Sequence, residues 1–266
     1  MSDLLLRLKV NQRRGSKPRC HLLTHGRPEQ VAERLTALIT PWGSVAPTDR
    51  WIPAGFDRLA EAQLHTATDL LDPAVCDTLC RWWLPEDRLD ARTPNWDIAA
   101  TCTIKGLPGL LLVEAKAHDK ELLNEAAGRK RETKEKGDQA ARAASHVTIG
   151  TAIDEARAGL RSATGLPWHI SRDSHYQPSN RCAWSWKLAD VGVAVVLVYL
   201  GFLNASEMAK DGVPFANAGE WESLVKGHCA SLFAASVWNR EWVVNGVPFV
   251  PLIRAIEQPL NGESPR

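Results

Sequence analysis

The sequence predicts an α/β protein in which helices cover both faces of a mixed β-sheet. Three observations lead to this fold class: segments with apolar residues at helical spacing, one segment with strict alternation, and continuous apolar runs. Alternation is typical of a strand with one covered face, and a continuous apolar run is typical of a strand covered on both faces. Because helical segments occur before, between and after the strands, we expect a sheet with helices layered on it.

The composition is that of a globular protein and excludes a whole-surface electrostatic clamp. The 266 residues suit one large domain or two small ones, and 44% hydrophobic with 24% charged residues is typical of folded chains. The 32 basic and 31 acidic residues leave a net charge of +1, so any site for nucleic acid or anionic lipid must be local. Tryptophan is frequent, with 11 copies against five Phe and two Tyr, and it serves cores and binding surfaces alike.

The N-terminal part of the chain combines a basic segment with two predicted helices. Residues 1–20 carry six basic side chains against one acid, and the pattern favours a solvated tail or edge strand over an arm that contacts DNA. Apolar residues at helical spacing predict an amphipathic helix over residues 56–71. A second helix is predicted over residues 73–83, where Cys76 and Cys80 lie one turn apart on the buried face.

A β-hairpin is predicted next. Residues 97–105 alternate between apolar and polar side chains, residues 106–109 have turn chemistry, and residues 110–116 form an apolar run that ends in two charges. That run predicts a buried central strand that emerges at a polar site. The charged residues 117–145 are expected to form a mobile excursion or an exposed helix.

Helices and strands continue to alternate in the second half. Helices are predicted over residues 148–162 and from about Pro178 to Gly192, where proline suits the first turn. The apolar residues 193–202 predict a strand with both faces covered. A helix over residues 221–235 and a strand over residues 242–253 complete the predicted elements.

Cysteine usage points to a reducing compartment. The six cysteines include no C-x-x-C pair, which favours buried thiols over disulfides or zinc ligands. His21 and His25 lie beside Cys20 at helical spacing and could hold a metal, but the sequence offers no matching second half.

The sequence also predicts a soluble cytoplasmic protein with no membrane partner. Arg7 and Lys9 interrupt the apolar N-terminus before a signal peptide could form. The longest apolar run, residues 191–203, has 13 residues, fewer than the roughly 18 that a spanning helix needs.

One polar cluster stands out, formed by Asp97 at the start of the predicted hairpin and by Glu114 and Lys116 at its end. Side chains alternate along a strand, so Glu114 and Lys116 share a face, and an antiparallel pairing puts Asp97 on that same face. If the turn is centred on Leu107 and Pro108, however, Asp97 lies opposite residue 118, roughly 13 Å along the strand from Glu114. A shared site then requires strand twist, a bulge, or a turn centred nearer Lys105.

These residue types suit metal-assisted hydrolysis. Two carboxylates can hold Mg²⁺, or Mn²⁺ in its place, with water and a substrate phosphate completing the shell. The metal polarises the phosphoryl oxygen and lowers the pKa of a bound water. A lysine beside them would orient or deprotonate that water and offset charge in the transition state. The alternative is a surface salt-bridge cluster with no catalytic role.

The segment Pro94-Asn95-Trp96-Asp97, the turn, the apolar strand and Glu114-Ala115-Lys116 together resemble the PD-(D/E)xK nuclease superfamily, which has the restriction-endonuclease-like fold. The proline stands three residues before the aspartate instead of directly before it. The resemblance covers residues 56–203 and implies Mg²⁺-dependent hydrolysis of DNA phosphodiesters. It further implies that Asp97 and Glu114 bind the metal, that Lys116 positions the water, and that a first strand lies between Trp83 and Pro94.

The same resemblance implies a domain plan and one more ligand. Residues 1–55 would form an N-terminal extension, residues 56–203 the nuclease-like core, and residues 204–266 a C-terminal helix and strand packed on that core. Many members of the family add an acid from the helix before the sheet, and Glu61 is the candidate here. An exposed carboxylate without a ligand role is the alternative for Glu61.

Further residues are candidates for substrate binding. Gln177, Asn180, Arg181 and Trp184 follow helical spacing, so one helix face carries two amides, a guanidinium and an indole. Amides and arginine suit phosphate contacts, and tryptophan can stack on a base or belong to the core. His118 lies on the face of the catalytic cluster and is a candidate substrate contact.

The sequence therefore predicts a metal-dependent deoxyribonuclease, with DNA as the substrate. The alternative from another class is a protein of the same fold that binds nucleic acid or assembles with partners but does not cleave. A small-molecule enzyme has little support, because G-x-G-x-x-G, G-x-x-x-x-G-K-[ST] and G-x-S-x-G are all absent from the sequence. Whether the protein forms a homodimer, and whether it cuts internally or from ends, stays open.

Overall fold

The computed structural model describes residues 3–129 and 139–260, and a mixed sheet runs through the middle of them. The sheet has seven strands in the order β1-β5-β6-β7-β9-β8, with β2 also paired to β5. A separate small sheet pairs β3 with β4. The strands are β1 Gly43–Ser44, β2 Trp51–Ile52, β3 Ala62–Gln63, β4 Asn95–Trp96, β5 Ile98–Ile104, β6 Leu107–Lys116, β7 Ala194–Leu203, β8 Trp242–Val244 and β9 Val247–Glu257.

The strand directions confirm a mixed sheet. β6, β7 and β9 run parallel to one another in the centre, whereas β5 and β8 are antiparallel to their neighbours. The parallel strands need crossover connections, which helices supply. The helices are α1 Ser16–Leu23, α2 Pro28–Ile39, α3 Pro73–Trp83, α4 Asp119–Leu123, α5 Gln139–Thr164, α6 Tyr176–Asp190 and α7 Ala218–Cys229.

Helices cover both faces of the sheet, which confirms the predicted α/β class. Along β6, Leu110 and Leu112 face the core beneath α3, α5 and α6, whereas Leu111 and Val113 face the core beneath α1 and α2. All four side chains are buried, as expected of a strand covered on both sides. Each helix of the described part is too short or too polar to traverse a lipid bilayer.

Most predicted elements of the central and C-terminal parts are confirmed. The helix over residues 73–83 is α3, whose N-terminus is capped by the Asp72 carboxylate accepting from the Ala74 amide. The hairpin strands are β5 and β6, and the strand over residues 193–202 is β7. The helix over residues 148–162 is part of α5, the helix over residues 178–192 corresponds to α6, which ends two residues earlier, and α7 begins three residues before the start predicted for it.

The helix predicted over residues 56–71 is wrong. Most of its apolar residues are buried, but they are carried by turns, by β3 and by a 3₁₀ turn at Leu64–Thr66. The backbone of Ala62 and Gln63 pairs with β4 instead of forming helical hydrogen bonds. The apolar residues at helical spacing are therefore buried without a helix, because the pairing of β3 with β4 outweighs the local preference.

The strand predicted over residues 242–253 is a hairpin in the structure. Asn245 and Gly246 have φ values of 50° and 82°, the two positive angles of a type I′ turn, and they connect β8 to β9. The first strand expected between Trp83 and Pro94 is also absent from that interval, which holds a 3₁₀ turn at Glu86–Arg88. Beside β5, its place is taken by β1 and β2.

The two charged segments also differ from expectation. Of residues 1–20, for which a solvated tail or edge strand was predicted, residues 3–7 and 10–12 form 3₁₀ turns and residues 16–20 belong to α1. Together with α2, α1 covers the second face of the sheet. Of the predicted excursion 117–145, residues 119–126 form α4 and a 3₁₀ turn and the last residues begin α5. Residues 130–138, for which mobility was predicted, lie outside the described residues. The division into three domains stays a prediction.

Candidate active site

A two-residue turn sets the register of the β5–β6 hairpin and brings the predicted cluster together. Lys105 and Gly106, with φ values of 51° and 82°, form a type I′ turn, so Ile98 pairs with Val113. The next position along the hairpin places Asp97 across from Glu114. The turn centred on Leu107 and Pro108 was therefore wrong, and the alternative centred nearer Lys105 is correct.

Asp97 is fixed by the backbone of the neighbouring strand. Its Oδ2 accepts a hydrogen bond of 2.8 Å from the amide of Ala115. This contact holds the carboxylate beside the peptide that follows Glu114. The hairpin thus delivers one carboxylate from each strand to the same place.

Glu114 is buried, 3% exposed, and its two oxygens each meet a cation. Lys116 Nζ donates to Oε1, and Arg181 Nε donates to Oε2 at 2.5 Å. The Arg181 guanidinium also donates to Asn180 Oδ1 at 3.0 Å and to the Asn95 carbonyl at 2.8 Å. A buried charge needs this degree of pairing, because leaving it unpaired costs several kcal/mol.

Arg181 is further held by an aromatic face. Its guanidinium carbon lies 4.6 Å from the centroid of the Trp96 ring, within the range of a cation–π contact. Trp96 belongs to β4, directly before Asp97. One tryptophan of the unusually large set therefore supports the site from beneath, and Arg181 connects α6 to β4 and β6.

Glu125 is an acid of this cluster that sequence reasoning missed. It lies on the 3₁₀ turn Asn124–Ala126 after α4, and its Oε1 is 2.6 Å from Lys116 Nζ. Glu125 is only 8% exposed. No pattern in the sequence distinguishes it from the other charges of residues 117–145, because its burial depends on how the chain returns from β6.

Mutual electrostatics separate the pKa values of the three acids. Burial and, next to it, the charge of Glu114 raise the pKa of Asp97 to about 7, although Lys116 acts in the opposite direction. Burial also raises the pKa of Glu125 to about 7, with Lys116 opposing that rise. For Glu114 burial acts in the same direction, but Arg181 and Lys116 outweigh it and bring the pKa to about 2.

Lys116 stays positively charged in this setting. Burial alone would lower the pKa of Lys116, but Glu114, Glu125 and Asp97 together raise it above the ordinary value. The pKa of Arg181 is raised in the same way, since Glu114 outweighs burial. The site therefore contains two fixed cations and one fixed carboxylate, Glu114, together with two acids that titrate near neutrality.

A cavity of about 450 Å³ opens beside Asp97 and Glu114, within the size range of small-ligand sites. Lys116 is not among the residues that line the cavity, but it forms an ion pair with Glu114, which does line it. Further polar side chains of its wall come from β4, from α6 and from segments between elements: Glu61, Arg92, Asn95, Arg129, Gln177, Asn180 and Arg181.

The structure brings most of the predicted site residues to this cavity. Gln177, Asn180 and Arg181 line it together, and Asn180 Nδ2 donates to Gln177 Oε1 at 3.0 Å. Trp184 does not line it: the ring is fully buried and packs edge-on against Trp83, with centroids 5.5 Å apart. The core interpretation of Trp184 therefore holds, and the stacking interpretation is wrong.

Glu61 and His118 are placed differently from expectation. Glu61 lines the cavity but lies in an irregular segment before β3, not on a helix. Its oxygens accept from Lys17 at 2.6 Å and from Asn95 at 3.0 Å. His118 is buried beyond the end of β6, and it is not among the cavity-lining residues. The ligand role of Glu61 and the substrate role of His118 stay predictions.

The chemistry of the two hairpin carboxylates fits a magnesium ion. Mg²⁺ is commonly bound through one or two carboxylates, with waters and substrate phosphates supplying the other ligands. A carboxylate has about four lone-pair sites, so Asp97, whose Oδ2 accepts one bond, and Glu114, whose oxygens accept one each, retain acceptor capacity. Within residues 3–129 and 139–260, no group of three or more His, Cys, Asp or Glu residues is arranged to hold a metal by itself. Any such site would rest on two carboxylates.

The cysteine and histidine cluster near the N-terminus has a different arrangement. His21 Nδ1 is 2.8 Å from the Gly55 carbonyl, and the rings of His21 and His25 both pack against Phe56 with centroids 5.5 Å away. Cys20 is buried, as are the other five cysteines, which are all free thiols.

Comparisons with protein-family models, with curated proteins and with solved structures find no match to this chain.

Proposed function

We propose that the protein is a metal-dependent nuclease that hydrolyses DNA phosphodiester bonds at the site formed by Asp97, Glu114 and Lys116. One observation carries the proposal: the hairpin register sets Asp97 across from Glu114, and Lys116 donates to Glu114 on the same strand face. Asp97 and Glu114, which are 17 positions apart in the sequence, thus meet beside a polar cavity, and Lys116 contacts Glu114. A scattered surface salt-bridge cluster would not be buried in this way.

The proposal includes the restriction-endonuclease-like fold. In its support, β5 and β6 form an antiparallel hairpin, and the chain passes through α5 and α6 before β7 adds parallel to β6. The cluster lies where β6 emerges from the sheet. Strand ends of this kind are where open α/β sheets place their ligands.

Asp97 and Glu114 would hold a Mg²⁺ or Mn²⁺ ion, which when bound polarises a phosphoryl oxygen and lowers the pKa of a water. The protein's own contribution is the placement of both carboxylates. Asp97 is oriented by the Ala115 amide, and Glu114 by Arg181. Because neither side chain has to be reorganised in the reaction, little free energy is spent on ordering them.

Lys116 acts as a charged donor in this proposal and not as a base. The acids around it raise the pKa of Lys116 above its ordinary value, so its ammonium group keeps its protons at neutral pH. A fixed ammonium can orient the attacking water or stabilise the negative charge that develops on the phosphoryl oxygens. Lys116 is therefore not assigned to remove a proton from the attacking water; a bound metal would favour that ionisation by lowering the pKa of the water.

Arg181 is assigned to the support of the site and not to DNA contacts. Three of its five N–H groups donate to Glu114, Asn180 and Asn95, so its guanidinium is held in place by protein groups. Gln177, with Asn180, lies on the cavity wall and suits contacts to a phosphate or a sugar.

One observation favours the alternative, a protein of the same fold that binds nucleic acid without cleaving it. Both oxygens of Glu114 accept hydrogen bonds from cations, and Lys116 lies between Glu114 and Glu125, so Glu114, Lys116 and Arg181 are paired within the protein without any ligand. A network that is closed in this way is also what a retained but inactive site would look like.

Cleavage of supercoiled plasmid and of single-stranded DNA separates the two functions. We expect cutting in Mg²⁺ or Mn²⁺, none in EDTA, and loss of cutting in Lys116→Ala and Glu114→Ala. Lys105→Ala is the matched control, since Lys105 lies on the same hairpin but pairs with Glu241 at the other end of β5. Equal cutting by Lys116→Ala and wild type contradicts the mechanism, and DNA binding without cutting in any metal supports the alternative.

A further inference from the structure

We propose that Glu125 is a positioning residue of the site, which holds the Lys116 ammonium in place for the reaction; this inference rests on the proposed function. Glu125 has no role in the sequence pattern, and its contact with Lys116 is made at 2.6 Å. The side chains of both residues are at most 9% exposed. The ion pair is therefore shielded from solvent, and its geometry is better defined than that of a surface pair.

The backbone around Glu125 is tied to the element that carries the cavity wall. The amide of His175 donates to the Ala126 carbonyl at 3.0 Å, and the amide of Tyr176 donates to the Ala127 carbonyl at 3.1 Å. These two bonds join the turn that holds Glu125 to the beginning of α6. The carboxylate is thus fixed relative to both β6 and α6.

The charge balance of the cluster shows that Glu125 is not needed to neutralise the two buried cations. Asp97 and Glu114 already match the two cations Lys116 and Arg181, so Glu125 adds an uncompensated negative charge when all five are ionised. Its Oε2 is buried and has no hydrogen-bond partner among the described residues. A buried acid of this kind costs folding free energy, so stability does not account for its position.

A role toward Lys116 does account for it. Glu114 contacts Lys116 and is also proposed to bind a metal ion. Glu125, in contrast, forms its ion pair with Lys116 through Oε1. When Glu114 binds a metal ion, Glu125 therefore remains as the counter-ion that keeps Lys116 Nζ in the site. Supporting residues of this kind typically change activity by about 10- to 100-fold when they are removed.

The first test is a double-mutant cycle on cleavage rate, with Glu125→Gln, Lys116→Ala and the double variant. We expect Glu125→Gln to lower kcat by roughly 10- to 100-fold with KM for DNA unchanged, and the double variant to be no slower than Lys116→Ala. Glu155→Gln is the control, because Glu155 pairs with Lys187 at 3.1 Å away from the site. Losses that multiply in the double variant, or wild-type kcat in Glu125→Gln, overturn the proposal.

The second test does not depend on activity. In a proton–nitrogen NMR spectrum of lysine side chains, the signal that Lys116→Ala removes is the Lys116 ammonium. We expect its protons to exchange slowly in the wild type and fast in Glu125→Gln, and an unchanged signal overturns the proposal. If the wild type cuts no DNA in Mg²⁺ or Mn²⁺, the proposed function fails, and this signal alone decides whether Glu125 positions Lys116.

Discussion

Among single residues, Arg181 joins the most parts of the site. It contacts Glu114 on β6, the backbone of Asn95 on β4 and the ring of Trp96, while it is itself carried by α6. Helical spacing in the sequence singled out Arg181 as a phosphate contact. The structure adds hydrogen bonds from its guanidinium to protein groups, which spacing on one helix cannot reveal.

Replacing Arg181 tests this supporting role. Arg181→Met keeps much of the length of the side chain but leaves the buried Glu114 with one cation, so we expect the free energy of unfolding to fall by about 3–5 kcal/mol. Chemical denaturation followed by tryptophan fluorescence measures the change. The double variant Glu114→Gln with Arg181→Met should recover part of the loss, because no buried charge is then left without its partner. A loss below about 1 kcal/mol would show that the ion pair contributes little.

Asp97 should make the stability of the protein depend on pH. Burial raises its pKa from 3.8 to about 7, so between these values the folded protein holds a proton that the unfolded chain has released. Stability contributed by this position therefore falls as the pH rises through that window. Glu114, whose pKa is lowered to about 2, has the opposite effect, confined to pH values below its ordinary 4.5.

Asp97→Asn removes the titrating group and should reveal its effect. Relative to the wild type, we expect the variant to gain stability as the pH is raised from 5 to 8, because the wild type has to ionise one buried acid more than the variant, which keeps Glu125 alone. Urea denaturation at several pH values measures this difference. A difference that stays constant, or one that shrinks toward pH 8, would mean that Asp97 is already ionised without cost in the folded protein.

At the scale of secondary-structure elements, the β5–β6 hairpin decides whether there is a site at all. Its alternating and apolar patterns predicted both strands, and the structure confirms them. The register was not determined by those patterns, because Leu107-Pro108 and Lys105-Gly106 both have turn chemistry. The choice depends on two positive φ angles and on cross-strand packing, which a hydrophobic pattern does not contain.

Gly106→Ala tests the turn. There is free space for a Cβ atom at Gly106, so the cost comes from its φ of 82° alone, and we expect a loss of about 1–2 kcal/mol in the free energy of unfolding. Gly227→Ala is the matched control, since it also has free space but lies in α7 without a positive φ. That control should gain about 0.5–1 kcal/mol from helix propensity. Equal effects of the two changes would contradict the turn assignment.

Other elements show where local patterns stop being informative. The helix predicted over residues 56–71 failed because β3 finds its hydrogen-bond partners in β4, which lies more than thirty positions later in the chain. The residue types of the turn Asn245-Gly246 favour a hairpin, but the prediction was one continuous strand across it. Glu125 could not have been found, since its burial follows from the return path of the chain.

At the scale of the whole molecule, the near-neutral net charge is consistent with a site in which cations and acids are paired. Lysine and arginine exceed the acids by only one residue, and two of these cations are spent inside the site on Glu114 and Glu125. A polyanion would therefore meet a mixed surface, in which the cavity offers acids for a cation and amides for phosphate. Recognition that depends on a bound cation is expected to be weak without it.

The same scale explains the abundance of tryptophan. Large rings such as Trp83, Trp168 and Trp221 are fully buried in the core beneath α3, α5, α6 and α7. Trp96 is the one that contacts the proposed catalytic cluster, through Arg181. Composition alone left open whether tryptophan served the core or binding, and in the described part of the chain the core takes the larger share.

The most direct measurement of the central claim is the single-turnover rate of cutting of an end-labelled DNA in Mg²⁺. The account predicts that Lys116→Ala slows this rate by about 100-fold or more, that Asp97→Asn and Glu114→Gln abolish cutting at the metal concentrations at which the wild type cuts, and that Lys105→Ala cuts like the wild type. Equal rates for Lys116→Ala and Lys105→Ala would contradict it, because the lysine of the cluster would then contribute no more than the lysine of the turn.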